Sequence, residues 1–169
     1  MMLLRAVAAA MPATASIEIA SIRGIPLYDG DVEAGQGIPA PVQQFKERIA
    51  AADGLLIVTP EYNNSIPGVV KNAIDWASRP PKDVARVFRG RPVAVIGATP
   101  GAGATNLAQA AWLPVLRTLG MLPWFEGRLG IANAKAIFGP DGAIVDAATA
   151  DRVRTFAEGF AAFVERARR

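Results

Sequence analysis

A short polar loop that follows an apolar run carries the residues best suited to ligand chemistry. The run at 55–58 is too short for a helix, and Pro60 after it has no N–H for a sheet ladder. We therefore expect a buried parallel strand, and open α/β sheets bind ligands in the loops at the carboxyl ends of such strands. Tyr62 offers an aromatic surface, and the Asn63 amide both donates and accepts hydrogen bonds. Such a loop can bind a ligand through fixed dipoles rather than titrating groups.

A second candidate loop follows the next apolar run. Residues 92–98 predict another buried strand, which leads into the Gly-rich turn 99–106 before a helix. A Gly-rich turn between strand and helix is typical of phosphate loops, but a GxG pattern alone is weak evidence. Walker A is excluded because the chain has no Gly-Lys-Ser/Thr. The turn is therefore either part of a ligand site or a plain tight turn.

The composition restricts the chemistry further, because the chain contains neither cysteine nor histidine. This excludes disulfides, thiolate nucleophiles, zinc sites of the usual ligand type and every catalytic triad that needs imidazole. If the protein catalyses electron transfer, a bound cofactor must carry the chemistry.

The remaining elements alternate as in an α/β fold. Apolar residues at helical spacing predict helices from Pro41 to about Ala52, from Pro67 through Ala77, over 104–119 and over 149–168. On the first of these helices Lys46, Glu47 and Arg48 are expected to face mostly outward. A weaker alternation predicts a strand over 16–21, followed by a long surface connection over 22–40. Residues 121–125 and 129–138 are expected to form a split last strand and its insertion.

The run TPEYNNSIPGVVKNAIDWASR at 59–79 closely resembles the signature of the NADPH-dependent FMN reductase family, which includes flavodoxin-like quinone and chromate reductases. The resemblance extends to IPLYD at 25–29 and to the Gly-rich turn at 99–103, so it covers most of the chain. It implies one domain over 1–169 with a flavodoxin-like, three-layer, doubly wound parallel sheet. It also implies an FMN-dependent oxidoreductase that transfers hydride from NADPH or NADH through the flavin to a quinone, chromate, azo or flavin acceptor.

The resemblance assigns cofactor-binding residues in both loops, and no catalytic side chain or metal ligand. The FMN-contacting residues it implies are Pro60, Glu61, Tyr62 and Asn63 in the first loop and Ala98, Thr99 and Gly101 in the second. Asn64 stands where the family often has an aromatic residue, and Ala98-Thr99 stands where it often has serine. Lys71, Asn72 and Asp75 are expected to pair and hydrogen-bond around their helix rather than to catalyse. Leu27 and Tyr28 either hold their loop to the domain or contact substrate, and we favour the first.

The family pattern also predicts an incomplete N-terminus. Ahead of its first helix the family has a strand and a loop of the type G-S-x-R-x-x-S-x-N, whose amides hold the FMN phosphate. Residues 1–15 resemble the end of that first helix better than a signal peptide, because Arg5 interrupts the apolar run. In the strand order 2-1-3-4-5 the missing first strand is central. We therefore expect a flavodoxin-like sheet that lacks its first strand, in a cytoplasmic protein.

Two other functions stay open. A flavodoxin-type electron carrier also uses FMN, but the sequence pI of about 9.7 argues against the acidic face of such carriers. A non-catalytic or FMN-deficient domain is the other alternative, because loss of the phosphate loop could reduce FMN affinity by several kcal/mol.

The resemblance further implies a homodimer or homotetramer acting on a small-molecule electron acceptor. Trp76, Trp112 and Trp124 could belong to the core or to a subunit interface. The arginines near the C-terminus lack interleaved aromatic residues, so a solvated helix is favoured over a nucleic-acid surface. No apolar run is long enough to predict a membrane span.

Overall fold

A parallel sheet of four strands forms the centre of the molecule; the computed structural model describes residues 1–168. The strands are β1 (Leu55–Val58), β2 (Pro92–Ala98), β3 (Leu122–Pro123) and β4 (Gly130–Ile131). β1 pairs in parallel with β2 along its whole length. β3 and β4 pair in parallel with the two ends of the other edge of β2. These two short strands are the split last strand that the sequence predicts.

Helices cover both faces of the sheet. They are α1 (Met2–Ala9), α2 (Gly30–Gln36), α3 (Ala40–Ala51), α4 (Gly68–Ala77), α5 (Val84–Val87), α6 (Asn106–Thr118), α7 (Ala134–Ile137) and α8 (Ala147–Ala167). α1 and α8 pack on one face, while α3, α4, α5 and α6 pack on the other. The three-layer, doubly wound α/β fold is therefore confirmed. No helix within residues 1–168 combines the length and apolarity that a membrane crossing requires.

β1 forms one edge of the sheet. Among residues 1–168, β1 pairs only with β2, so its other edge carries no ladder. The preceding chain passes from one face of the sheet to the other, because Ile17 packs with the α1 and α8 core while Ile22 and Ile25 pack with the opposite core. This arrangement agrees with the expectation of a sheet without its first strand.

The predicted strand at 16–21 is wrong, because the segment is irregular in the structure. Its alternating isoleucines have no neighbouring strand to pair with, and alternation without a partner does not make a ladder. Arg48 instead holds the segment, through Glu18 at 2.6 Å and the carbonyl of Ile19 at 2.9 Å. The connection over 22–40 contains α2, whose first turn is capped by the side chain of Asp29.

The expectation that Lys46 faces outward is wrong, because its side chain is completely buried. Its Nζ donates to the carbonyl oxygen of Arg79 and, at 2.6 Å, to Asp83 Oδ2. A buried ammonium is tolerated only with such partners. They come from the segment after α4, which helical periodicity within α3 does not reveal.

Because of this ion pair, we expect the stability of the fold to vary with pH in the acid range. The hydrogen bond from Lys46 holds the pKa of Asp83 below its ordinary value. A carboxylate with a depressed folded-state pKa stabilises the fold above its unfolded pKa, near 3.9, and that contribution is lost as pH falls through the folded pKa. We expect Asp83→Asn to lower Tm at pH 7 and the gap to wild type to shrink below about pH 4. A gap that stays constant from pH 7 to pH 3, in thermal melts monitored by circular dichroism, contradicts this.

Two of the three tryptophans are core residues. Trp76 and Trp112 are fully buried between the sheet and its helices. Trp124 is half-buried and packs against the phenylalanines of α8, with 5.3 Å between its ring centroid and that of Phe156. Trp76 and Trp112 are therefore unavailable for a subunit interface.

Candidate functional site

The two loops singled out in the sequence lie side by side at one end of the sheet. β1 and β2 are parallel neighbours, with Val58 opposite Ile96, so the chain leaves both strands in the same direction. Pro60, Glu61, Tyr62 and Asn63 follow the first strand, while Ala98, Thr99 and Gly101 end or follow the second. The structure therefore places all seven predicted cofactor-binding residues at the carboxyl edge of one pair of strands.

The first loop folds back on itself in a tight turn. The amide of Tyr62 donates to the carbonyl of Ser65 at 3.2 Å, and the amide of Ser65 donates to the carbonyl of Tyr62 at 3.0 Å. Asn63 and Asn64 both have positive φ, at 48° and 60°, a region that asparagine adopts more readily than most residues. The Tyr62 side chain is 60% exposed as a result.

The turn contains backbone hydrogen-bond donors that no group in the described part of the chain uses. Within residues 1–168, the backbone N–H groups of Glu61, Asn63 and Asn64 donate to no acceptor. Proline at position 60 ends the ladder, so β2 does not take up these donors. The loop thus presents three amides beside one exposed aromatic ring, a set that suits a planar ligand with carbonyl and nitrogen acceptors.

The Glu61 side chain points elsewhere. Its Oε2 accepts hydrogen bonds from the amides of Leu107 at 2.9 Å and Ala108 at 3.0 Å, in the first turn of α6. The side chain therefore caps a helix from another loop, a role that the sequence did not reveal. It also takes up amides that a phosphate at this helix terminus would need. The Gly-rich turn consequently does not act as a phosphate loop through these groups.

The Gly-rich turn is held to β4 and to the segment after it. The amide of Thr99 donates to the carbonyl of Ile131 at 2.9 Å, and the amide of Asn133 donates to the carbonyl of Gly101 at 3.0 Å. The amide of Gly101 also donates to Thr99 Oγ1 at 3.3 Å. These contacts fix Ala98, Thr99 and Gly101 against the sheet edge while the outer residues of the turn stay exposed.

The end of the turn packs tightly on β2. Ala104 and Thr105 both have left-handed backbone, with φ of 49° and 60°. The Thr105 side chain is fully buried, and its Oγ1 accepts from Gln109 Nε2 at 3.0 Å. A Cβ on Gly97 would lie 2.3 Å from Thr105 Oγ1, so only glycine leaves room for the turn here. Sequence reasoning did not identify either residue, although Gly97 inside an apolar strand indicates a close approach of backbone.

α4 holds the IPLYD segment in place. Asn72 accepts from the Tyr28 amide at 2.9 Å and donates to the Pro26 carbonyl at 2.8 Å, and Trp76 Nε1 also donates to that carbonyl at 3.0 Å. The Tyr28 ring contacts Trp76 edge-on, with 4.9 Å between ring centroids. Tyr28 thus secures the loop as we favoured. Leu27 does not, because its side chain is 82% exposed.

A polar cluster continues from this segment. Tyr28 donates its hydroxyl to Glu33 at 2.8 Å, and Arg79 Nε lies 2.8 Å from the same carboxylate. The Arg79 hydrogen bond holds the pKa of Glu33 below its ordinary value, whereas the bond to Glu33 raises the pKa of Tyr28. Tyr28 therefore stays protonated at neutral pH and serves as a structural donor.

The polar residues of α4 have structural partners. Lys71 pairs with Asp75 one turn later, with 2.7 Å between Nζ and Oδ1. Both side chains border a groove of about 320 Å³ between α4 and α6, whose other walls include Ile74, Pro114 and Val115. The pairing agrees with the expectation that Lys71, Asn72 and Asp75 hold structure around this helix.

A family model described as NADPH-dependent FMN reductase matches residues 1–136. The chain belongs to this family. Membership confirms the family inferred from the signature at 59–79, together with its dependence on FMN and NAD(P)H. The family consists of oxidoreductases, so the expectation of an FMN-dependent NAD(P)H oxidoreductase is confirmed as well.

Individual FMN reductase family proteins support the assignment. The NAD(P)H-dependent FMN reductase of Pseudomonas aeruginosa is 46% identical over 136 residues, which cover 80% of this chain and 71% of that protein. The 2-hydroxy-1,4-benzoquinone reductase of a Burkholderia species is 40% identical over 162 residues, which cover 96% of this chain and 86% of that protein. The structure of FerB, a flavoenzyme NAD(P)H:acceptor oxidoreductase from Paracoccus denitrificans, aligns with a TM-score of 0.85 and 33% identity, covering 98% of this chain and 88% of that one.

The donors described above fit the ring system of FMN. The isoalloxazine ring carries acceptors at N1, O2, O4 and N5, and the free amides of Glu61, Asn63 and Asn64 are donors of the matching kind. The exposed Tyr62 ring supplies an apolar surface for a planar group. The FMN phosphate has no equivalent support from α6, because Glu61 already binds its first turn.

Proposed function

We propose that this FMN reductase family member binds the flavin ring between the 60–65 loop and the 98–101 segment and reduces quinones with NAD(P)H. One observation carries the proposal: free amides and an exposed aromatic ring lie at the carboxyl ends of two adjacent parallel strands, in a chain without cysteine or histidine. Relatives that are named as quinone reductases support this acceptor class over chromate, azo compounds or free flavin.

The protein's own contribution is binding and electrostatics. When bound, FMN supplies the redox chemistry by accepting hydride from the nicotinamide and passing electrons to the acceptor. We assign to the amides of Glu61 and Asn63 the stabilisation of negative charge on the reduced ring, because fixed dipoles need no reorganisation as charge develops. Pro60, Tyr62, Ala98, Thr99 and Gly101 line the ring in this proposal. An exposed Tyr62 leaves space for a planar quinone beside the flavin.

An FMN-deficient chain is the second candidate, and one observation favours it. The amides at the start of α6, a natural anion site, already bind the Glu61 carboxylate. Weak retention of FMN would follow if no other group holds the phosphate.

The absorbance spectrum of the 169-residue chain separates these candidates. We expect FMN added in excess to remain after desalting, with flavin absorbance bands in the protein fraction, and NADPH oxidation to accelerate on addition of a benzoquinone. FMN retention without NADPH oxidation supports an electron carrier instead. A colourless protein that does not change with FMN supports the FMN-deficient candidate and overturns the proposal.

We further propose a single domain that functions as a homodimer or homotetramer in the cytoplasm, where NAD(P)H is available. The two helices α4 and α6 expose apolar side chains, namely Val69 on α4 and Leu107 and Leu113 on α6. Exposed apolar side chains on a surface are typical of protein contacts. Light scattering of the purified chain tests this, and a monomer at all concentrations contradicts a homo-oligomer.

A further inference from the structure

The N-terminus of α6 has no cap of its own. The first four amides of a helix have no partner within it, and a polar side chain at the N-cap usually accepts from one of them. In α6 the N-cap residue is Thr105, whose hydroxyl is bound to Gln109 Nε2 and makes no cap hydrogen bond. The helix therefore depends on a residue from elsewhere in the chain.

Glu61 is that residue. It precedes Leu107 by 46 positions, and its Oε2 accepts from the amides of both Leu107 and Ala108. A carboxylate at a helix N-terminus is further stabilised by the helix dipole. Within residues 1–168, these are the only hydrogen bonds between segments 60–66 and 99–108. A single carboxylate thus links the two loops beyond the last rung of the sheet.

We propose that Glu61 is a positioning residue, which sets the distance between the two flavin-binding loops through its side chain and does not contact the flavin with it. This inference rests on the proposed function, because it assumes that the flavin ring lies between these loops. Its basis in geometry is separate, since the contact of Glu61 with α6 exists without any ligand.

The inference predicts a graded response to substitution. Glu61→Gln keeps an acceptor oxygen of similar reach and loses only the charge, whereas Glu61→Ala removes both hydrogen bonds. FMN affinity should therefore fall strongly in Glu61→Ala and be largely rescued in Glu61→Gln. A residue whose negative charge binds the flavin would show no such rescue, because glutamine carries no charge.

Asp146 offers a matched control. It caps α8, on the opposite face of the sheet, by accepting from the Thr149 amide at 2.7 Å. Asp146→Ala therefore removes an acidic helix cap without touching either loop. A comparison of Glu61→Ala with Asp146→Ala separates loss of a cap from loss of loop position.

Two measurements test the proposal. The first is amide hydrogen exchange by NMR on the protein without FMN, where Glu61→Ala should accelerate exchange at Leu107 and Ala108 and shift the amide resonances of 99–105, and Asp146→Ala should not. The second is titration with FMN, followed by quenching of its fluorescence. We expect the Kd to rise at least about tenfold in Glu61→Ala, less than about threefold in Glu61→Gln, and to be unchanged in Asp146→Ala.

Each outcome decides the proposal. An FMN Kd in Glu61→Ala within twofold of that in Asp146→Ala overturns it, as does a Glu61→Gln variant as weak as Glu61→Ala. If the wild-type chain takes up no FMN, the proposed function fails, but the exchange measurement still decides whether Glu61 positions the loops. Unchanged exchange at Leu107 and Ala108 overturns the proposal in either case.

Discussion

Replacing Gly97 with alanine is expected to destabilise the fold by about 3 kcal/mol or more and to remove FMN retention. A Cβ at this position would lie 2.3 Å from the Thr59 carbonyl oxygen and 2.3 Å from Thr105 Oγ1. The carbonyl belongs to the backbone just after β1, so neither neighbour can move without displacing a loop of the site. The alanine therefore separates the first loop from the Gly-rich turn, and FMN affinity should fall at least about tenfold.

Gly35→Ala is the control for this prediction. Gly35 lies inside α2, and an added Cβ would meet nothing within 4 Å. Because alanine favours helix over glycine, we expect the control to be neutral or stabilised by up to about 1 kcal/mol. Urea unfolding gives the stabilities, and FMN retained after desalting gives the binding. A Gly97→Ala protein with wild-type stability and full FMN content would refute the close packing on which this prediction rests.

The two longest strands could be predicted from the sequence because their signals are local. The apolar runs at 55–58 and 92–98 are too short for helices and are bounded by turn residues, and β1 and β2 span those same residues. The strand predicted at 16–21 failed because a strand also needs a neighbour, and periodicity carries no information about one. The weakest strand prediction thus failed because it depended on a tertiary partner that the sequence pattern does not show.

The sequence predicted where the two loops lie, but not which contacts their side chains make. A proline after a buried strand and a Gly-rich turn after its neighbour located both loops, because parallel strands end at the same edge. The sequence could not show that the Glu61 carboxylate caps α6, since the partners are amides 46 or more positions away. Any residue except proline can supply a backbone N–H, so such a partner leaves no pattern in the sequence.

Lys46→Met is expected to lower the free energy of unfolding by about 3 kcal/mol. Methionine keeps most of the buried stem but removes the ammonium that donates to the Arg79 carbonyl and to Asp83. Breaking a buried ion pair typically costs about 3–5 kcal/mol, because the remaining partner stays desolvated. The Asp83 side chain is 24% exposed and recovers some hydration, which places the expected loss at the lower end.

Lys71→Met provides the matched comparison, with the same substitution in a pair that faces water. The side chains of Lys71 and Asp75 are 39% and 45% exposed, so their pairing contributes little, and we expect a loss below about 0.5 kcal/mol. Urea unfolding followed by tryptophan fluorescence measures both variants. Equal losses in Lys46→Met and Lys71→Met would contradict a buried, paired role for Lys46.

A double-mutant cycle then separates the ion pair from the packing of the lysine stem. If the effect comes from the ion pair, the double variant Lys46→Met/Asp83→Asn should lose less free energy of unfolding than the two single variants lose in sum. The expected coupling energy is above about 1 kcal/mol. Additive losses would assign the effect to the Arg79 contact and the packing of the stem rather than to the ion pair. The distinction matters for the fold, because Lys46 joins α3 to the segment that connects α4 with β2.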